Sequence, residues 1–236
     1  MQTSPHPAQP VNELLAALPP EEYERLLPHL EPVTFSLGQA VYESGERMEY
    51  VYFPADAIVS LLYTMLDGAT AGVGLVGREG VVGIALFMGG DTMPNRAVVQ
   101  DSGTVVRVKA KVLQEEFRRG GAFQLLLLKY TQALITQIAQ TAVCNRLHPV
   151  EKRLCRWLLM TQNRAQSDTL QMTHEFIANM LGIQREAVSV AAHRMQGQGI
   201  ISYVRGRIKI LDRAQLEACS CECYRVVRDE QDRLLH

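Results

Sequence analysis

The sequence predicts an α+β chain of two domains: an N-terminal β-roll, a long helix, and a C-terminal winged helix-turn-helix. Three observations predict it. Thr173 to Met195 has the spacing of two helices crossing at a tight turn, a basic hairpin follows, and the N-terminal half breaks into many short β-like runs before one long apolar helix. With 236 residues, 47% of them hydrophobic, the chain can bury a core in each domain, divided here as residues 1–146 and 147–236.

From the N-terminus, a polar, Pro-rich tail (MQTSPHPAQP) precedes two short helices, around Val11–Leu18 and Glu21–Leu30. The runs VTF, AVY, YVYF, IVSLLYTM, TAGVGLV, GVVGI, RAVVQ and TVVRV follow, each bounded by Gly, Asp, Pro or Ser. Short strands joined by tight turns fit a barrel or roll better than βαβ units. KVLQEEFRR and AFQLLLLKYTQALITQIAQTAVCNRL then read as helix. Leu127, Leu134, Ile138 and Val143 are expected near one face over about six turns, far longer than a mean helix, and so to form a dimer seam.

Thr173 opens the helix-turn-helix as a hydroxyl cap, with Glu175 facing the positive end of the helix dipole. Ile177, Ala178 and Leu181 form the first buried stripe, Gly182 ends the helix in a left-handed conformation, and Ile183, Val188 and Ala191 continue the core. The second helix then offers Gln184, Arg185, Glu186, Ser189 and His193 outward. Arg suits the O6 and N7 of guanine, Glu the cytosine amino group and Gln adenine, so the helix has the chemistry of base reading.

Beyond Gly197 and Gly199, Ile200–Val204 and Arg207–Leu211 read as strands joined through Arg205-Gly206, a wing with Arg205 and Arg207 at its tip and Lys209 nearby. Asp212 with Gln215 resembles a capping box that opens one last helix, DRAQLEACSCECYRVVRDEQDRLL. Within it Cys219, Cys221 and Cys223 could bind zinc or act in redox, with Cys219 and Cys223 on one face. No second knuckle or well-spaced His accompanies them, so they read as packing residues and no metal is expected. Cys144 and Cys155 read as core or interface residues, His148 as a structural joint, His174 and His193 as exposed, and Arg78-Glu79 as a surface ion pair.

Net charge is −1, yet its distribution is uneven. Residues 1–146 carry 11 basic and 15 acidic side chains, and residues 147–236 carry 13 and 10. The basic excess falls in the half with Arg185, Arg194, Arg205, Arg207, Lys209 and Arg213, where phosphate contact needs it. No apolar run is long enough for a bilayer and no signal-peptide core is present, so a soluble, cytoplasmic protein without membrane contact is expected. No paired-carboxylate, Ser-His-Asp or phosphate-loop arrangement suggests an enzyme.

The colinear order of these parts resembles the Crp/Fnr family of bacterial transcription regulators over nearly the whole chain. FSLGQAVYESGERMEYVYF is similar to the family's opening strands, with Gly38 and Gly45 at its turn glycines. MTHEFIANMLG matches the first helix of its helix-turn-helix, Arg185-Glu186 its recognition pair, and RGRIKILDRAQLEA its wing and following helix. The resemblance implies a cyclic-nucleotide-type roll, homodimers on palindromic duplex DNA, and RNA polymerase as a further partner. It would place an effector pocket at Gly83, Ile84, Asn95 and Arg96. The cyclic-AMP-binding members have Gly-Glu for the ribose and Arg-Ser-Ala for the phosphate, where this chain has Gly83-Ile84 and Asn95-Arg96-Ala97. Cyclic AMP is therefore not expected as ligand, no cofactor is assigned, and the signal is open. Nor does the chain carry the N-terminal cysteine cluster of the oxygen-sensing branch. Val190 replaces a second Arg common in the recognition helix, so a different operator is expected. The rival reading is a sensor or scaffold whose roll binds a metabolite or partner protein and whose winged helix makes protein contacts.

Overall fold

The computed structural model describes residues 12–165 and 167–235. Val11, the polar tail before it and His236 lie outside the described residues. Two short helices, α1 (Glu13–Ala16) and α2 (Pro20–Leu26), lead into a 3-10 turn and then the strands β1 (Glu31–Phe35), β2 (Ala40–Tyr42), β3 (Tyr50–Pro54), β4 (Ile58–Thr64) and β5 (Thr70–Val76). Helix α3 (Ala85–Met88) separates these from β6 (Arg96–Asp101) and β7 (Gly103–Lys109). The strands pair antiparallel into two sheets, β1-β7-β3 and β2-β6-β4-β5, which enclose one apolar core around Val51, Phe53, Val59 and Val76. Gly38 and Gly45 take positive φ of 78° and 76° at the turns around β2, a conformation a side chain would resist. Of the expected strands, GVVGI differs: Val82 makes a single bridge to Tyr52, and the chain then turns into α3.

Helix α4 (Ala110–Arg119) is followed by α5 (Gly121–Leu147), a 27-residue helix. Its N-terminus lacks a local cap. Glu22 of α2 supplies one from a distance, its carboxylate accepting from Ala122 N–H at 3.0 Å and Phe123 N–H at 2.8 Å. The expected dimer seam is corrected here. Leu127 and Leu134 are buried against the roll of their own chain and Ile138 packs partly on the same core, so none faces outward. Val143 stands apart from them and is exposed. The outward face instead repeats at alternating three- and four-residue steps through Leu125, Leu128, Gln132, Ile135, Ala139 and Ala142.

The C-terminal part comprises α6 (Val150–Ala165), β8 (Thr169–Gln171), α7 (His174–Leu181), α8 (Arg185–Gly197), β9 (Ile201–Val204), β10 (Arg207–Ile210), α9 (Arg213–Cys219) and α10 (Glu222–Leu235). The wing is a three-stranded sheet, β8-β10-β9. The expected single last helix is broken. Ser220 is extended (φ −75°, ψ 172°), so α9 and α10 are separate and Cys219 shares no helix with Cys223.

Roll and winged helix meet closely. Leu62 and Leu75 of the roll belong to the same apolar cluster as Leu158, Ile177 and Leu181. A Cβ on Gly72 would lie 2.8 Å from the Met180 carbonyl oxygen, so only Gly lets α7 rest on β5. Arg78-Glu79 is not a surface pair. Glu79 is buried and accepts from Arg164 of α6 at 2.7 Å, while Arg78 turns to Glu13.

Candidate nucleic-acid interface

The helix-turn-helix is built by its local chemistry. Thr173 Oγ1 accepts from Phe176 N–H at 3.1 Å at the start of α7, and Gly182, at φ 60°, stops that helix so that α8 can cross it. Ile177, Val188 and Ala191 are buried beneath the turn. Burying that side fixes what the other presents: Gln184, Arg185, Glu186, Val190 and His193 are exposed along one stretch of α8.

One of the expected contact residues is committed inward. Ser189 donates to Arg185 C=O at 3.1 Å and lies 2.9 Å from His174 Nδ1. Contrary to its expected exposure, His174 is half-buried, stacked on Tyr203 of β9 at 4.0 Å between ring centroids. Burial, with the neighbouring Arg185 charge, holds its pKa below the usual imidazole value. His174 therefore ties the first helix to the second and to the wing.

At the wing tip Arg205 and Gly206 both have positive φ, 47° and 78°, the geometry of a type I′ turn. Arg205, Arg207 and Lys209 are exposed, and with Arg185 they form no ion pair among the described residues. Arg194 and Arg213 differ from the expected phosphate contacts. Arg194 pairs with Glu151, and Arg213 is held by Glu217, Gln162, Asn163 and the Tyr224 hydroxyl. Of the six cations expected at phosphates, those left free are thus at the N-terminal turn of α8 and on the wing.

The region named for an effector is small. A cavity of about 80 Å³ is lined by Tyr42, Gly83, Ile84 and Asn95, and closed by Leu134 and Ile138 of α5. Ligand sites for drug-sized molecules run roughly 300–1,000 Å³. Asn95 is buried and donates to the Tyr42 hydroxyl at 2.8 Å, whose pKa burial pushes up to about 12. Arg96 is outside that cavity, a correction to its expected place. The β6 register sets Ala97 opposite Leu61 and Arg96 opposite Leu62, which turns Arg96 to the outer side, paired with Glu43 at 2.8 Å.

The C-terminal cysteines also differ from expectation. Cys221 and Cys223 leave their helix neighbour Cys219 and meet Cys144 and His148, from the other end of α5. Cys219 packs instead beside the winged-helix core. Cys155 is buried in that core, and burial pushes its thiol up to about 12.

A β-roll, a long connecting helix, and a winged helix with an exposed polar and basic face define a DNA-binding transcription regulator with a cyclic-nucleotide-type fold. Residues 32–119 match the family model described as cyclic nucleotide-binding domain, and residues 152–219 match that described as Crp-like helix-turn-helix domain. The chain belongs to the Crp/Fnr family of transcription regulators. It is 21% identical over 209 residues to the cyclic AMP receptor protein of Thermus thermophilus, covering 86% of this chain and 94% of that one. It is 25% identical over 184 residues to the transcriptional activator protein FnrL of Cereibacter sphaeroides, covering 72% and 71%. The fold is similar to that of FixK2 from Bradyrhizobium japonicum, with a TM-score of 0.70 at 19% identity over 81% of this chain and 98% of that one. No helix among the described residues is long and apolar enough to cross a membrane.

Proposed function

We propose that the chain binds a near-palindromic DNA operator as a homodimer, with the N-terminal turn of α8 reading bases and the wing holding phosphates. The observation that carries this reading is the set of exposed cations without carboxylate partners, Arg185, Arg205, Arg207 and Lys209, beside the polar face of α8. Phosphate contacts position a protein, whereas base contacts specify the site. Dimerisation is supported by the outward stripe of α5. Leu125, Leu128 and Ile135 are each about half exposed on a helix whose opposite face is already packed, and their 3-4 spacing is that of a two-helix seam. Half-sites centred about one helical turn apart, ~34 Å, follow from two such recognition helices.

The signal is proposed to be something other than cyclic AMP. Supporting this, the small cavity has an aliphatic side chain at Ile84 and an already bonded amide at Asn95, with no cation turned inward at Arg96. A buried phosphodiester would lose a charge-assisted bond worth roughly 1.5–3 kcal/mol.

Selection of bound sequences from a random duplex pool tests the function. A palindromic consensus is expected from the native chain, with none from an Ile135→Glu variant that light scattering shows to be monomeric. A monomer that selects the same full site would refute the dimer reading, and binding independent of both sequence and salt would refute DNA recognition. Millimolar cyclic AMP is expected to leave the melting temperature unchanged. A ligand at 100 times its dissociation constant would add about 2.7 kcal/mol, an easily visible shift.

A further inference from the structure

Four side chains converge where the long helix hands over to the winged helix. Cys144 and His148 are four residues apart at the C-terminal end of α5, with His148 N–H bonded to Cys144 C=O at 3.0 Å. Cys221 and Cys223 bracket the start of α10, brought there by the break at Ser220. The three thiols are buried and form a cluster of their own. Cys144 Sγ lies 3.5 Å from Cys221 Sγ, and Cys223 Sγ lies 3.6 Å from His148 Nδ1. All four ligand atoms fall within 4.8 Å of one another.

These are the edges of a metal-sized tetrahedron. Zn–S bonds of about 2.3 Å and Zn–N bonds of about 2.0 Å place tetrahedral ligands ~3.8 Å apart for two sulfurs and ~3.5 Å apart for sulfur and nitrogen. The sulfurs are too far apart for a disulfide bond of about 2.05 Å. A polynuclear iron–sulfur cluster would set iron and sulfide between the ligands and spread them further. Ligand type agrees with spacing, because three soft thiolates and one imidazole in tetrahedral array suit zinc.

Two neighbours supply what such a site requires. His148 Nε2 lies 3.4 Å from Glu222 Oε1, so a carboxylate stands beside the ring nitrogen opposite the one turned to the thiols. This second partner fixes the tautomer and orients a ligating His. Arg156 is buried without a carboxylate among the described residues. Its NH groups reach only Thr141 Oγ1 and Met160 Sδ, and its Nε has no partner. Its charge nevertheless acts on Cys144 and Cys223. Three thiolates around a dication leave one net negative charge, the counter-charge that the buried guanidinium otherwise lacks.

We infer that Cys144, His148, Cys221 and Cys223 form a closed zinc site that fastens α10 to the end of α5. All four positions are protein ligands, which marks the site as structural, with no place for a reacting water. Its location gives it a second consequence. The metal ties the last turn of α5, just before the chain turns into α6, to the start of α10, so occupancy holds the C-terminal helix of the winged-helix domain against the long helix.

The full-length chain, purified under reducing conditions, is expected to carry one zinc per chain by elemental analysis. Cys219→Ser should retain the metal, whereas Cys223→Ser and Cys144→Ser should lose it. Glu222→Gln should weaken affinity 10- to 100-fold while leaving the site intact. Because a ligand variant can fail to fold, the unaltered chain is also stripped with a chelator and titrated with cobalt(II). The visible absorption of tetrahedral thiolate-bound cobalt, saturating at one equivalent and displaced by zinc, is expected. A metal-free preparation that gives no cobalt spectrum would overturn the proposal. So would iron with acid-labile sulfide, zinc lost in Cys219→Ser, or a Cys144–Cys221 disulfide in the reduced preparation.

Discussion

On the outer face of the winged helix Arg185, Arg205 and Arg207 stand in solvent without carboxylate partners, whereas Arg153, Arg156 and Arg164 at its inner side are all buried. Arg164 is neutralised by Glu79, and Arg153 is held by Asn145 and the Leu181 carbonyl. Arg156 is the exception, bonded only to a hydroxyl and a thioether and adjoining the thiol cluster. One residue type thus serves two purposes within a short stretch of sequence. Buried arginines fix the domain in place, and exposed ones are left free for a partner's charge.

The sharpest way to break this contrast is at Arg164. Removing one member of a buried pair leaves the other charge unsolvated, so Arg164→Ala should cost about 3–5 kcal/mol of stability. Denaturant titration measures that loss, and a cost below about 1 kcal/mol would place the pair among weak surface bridges. On the outer face the expected effect is on recognition instead. Arg185→Ala should cost roughly 1–3 kcal/mol per half-site on the selected operator, with random DNA little affected and the melting temperature unchanged. Lys209→Ala should weaken both DNAs alike and lower the salt slope by about 1 for each copy in the complex. Equal losses on operator and random DNA for Arg185→Ala would remove its base-reading role.

Two smaller effects refine the comparison. Arg205 adopts φ 47° at the wing tip, a conformation where a side chain costs energy and Gly does not. Arg205→Gly should therefore raise stability by up to about 1 kcal/mol while weakening DNA affinity, two signs that calorimetry and binding separate. His174 has a lowered pKa in the fold, so the unfolded chain binds its proton more readily. Stability from this group is complete above the unfolded value of about 6.5 and is lost as pH falls through the lower folded value. His174→Gln should flatten the acid side of the stability profile, and an unchanged profile would place its titration elsewhere.

The legible parts of the fold were those specified locally. Thr173 and Asp212 cap the helices beside them, Gly182 and Gly206 take positive φ, and the wing forms from adjacent strands. Helix α6 and strand β8 were not anticipated, although Pro149 stands directly before α6. Leu127 and Leu134 were read as outward-facing because both faces of α5 are apolar. Periodicity identifies a stripe but not which stripe the roll covers, and burial decides for Leu127 and Leu134 over Leu125 and Leu128. The neighbours of the thiols were hidden for a related reason. Cys144 lies 77 positions from Cys221, and a search for a nearby second pair cannot find a partner that only tertiary folding supplies.

Gly72 carries a consequence for genetics. Its missing side chain lets α7 lie on β5, with the Met180 carbonyl 2.8 Å from where a Cβ would stand. Any larger residue there pushes the α7–α8 helix pair off the roll without altering a residue of its outward face. A screen for loss of regulation should therefore recover Gly72 alleles alongside those in α8, and suppressors that restore them should map to small substitutions around Met180 rather than to the operator.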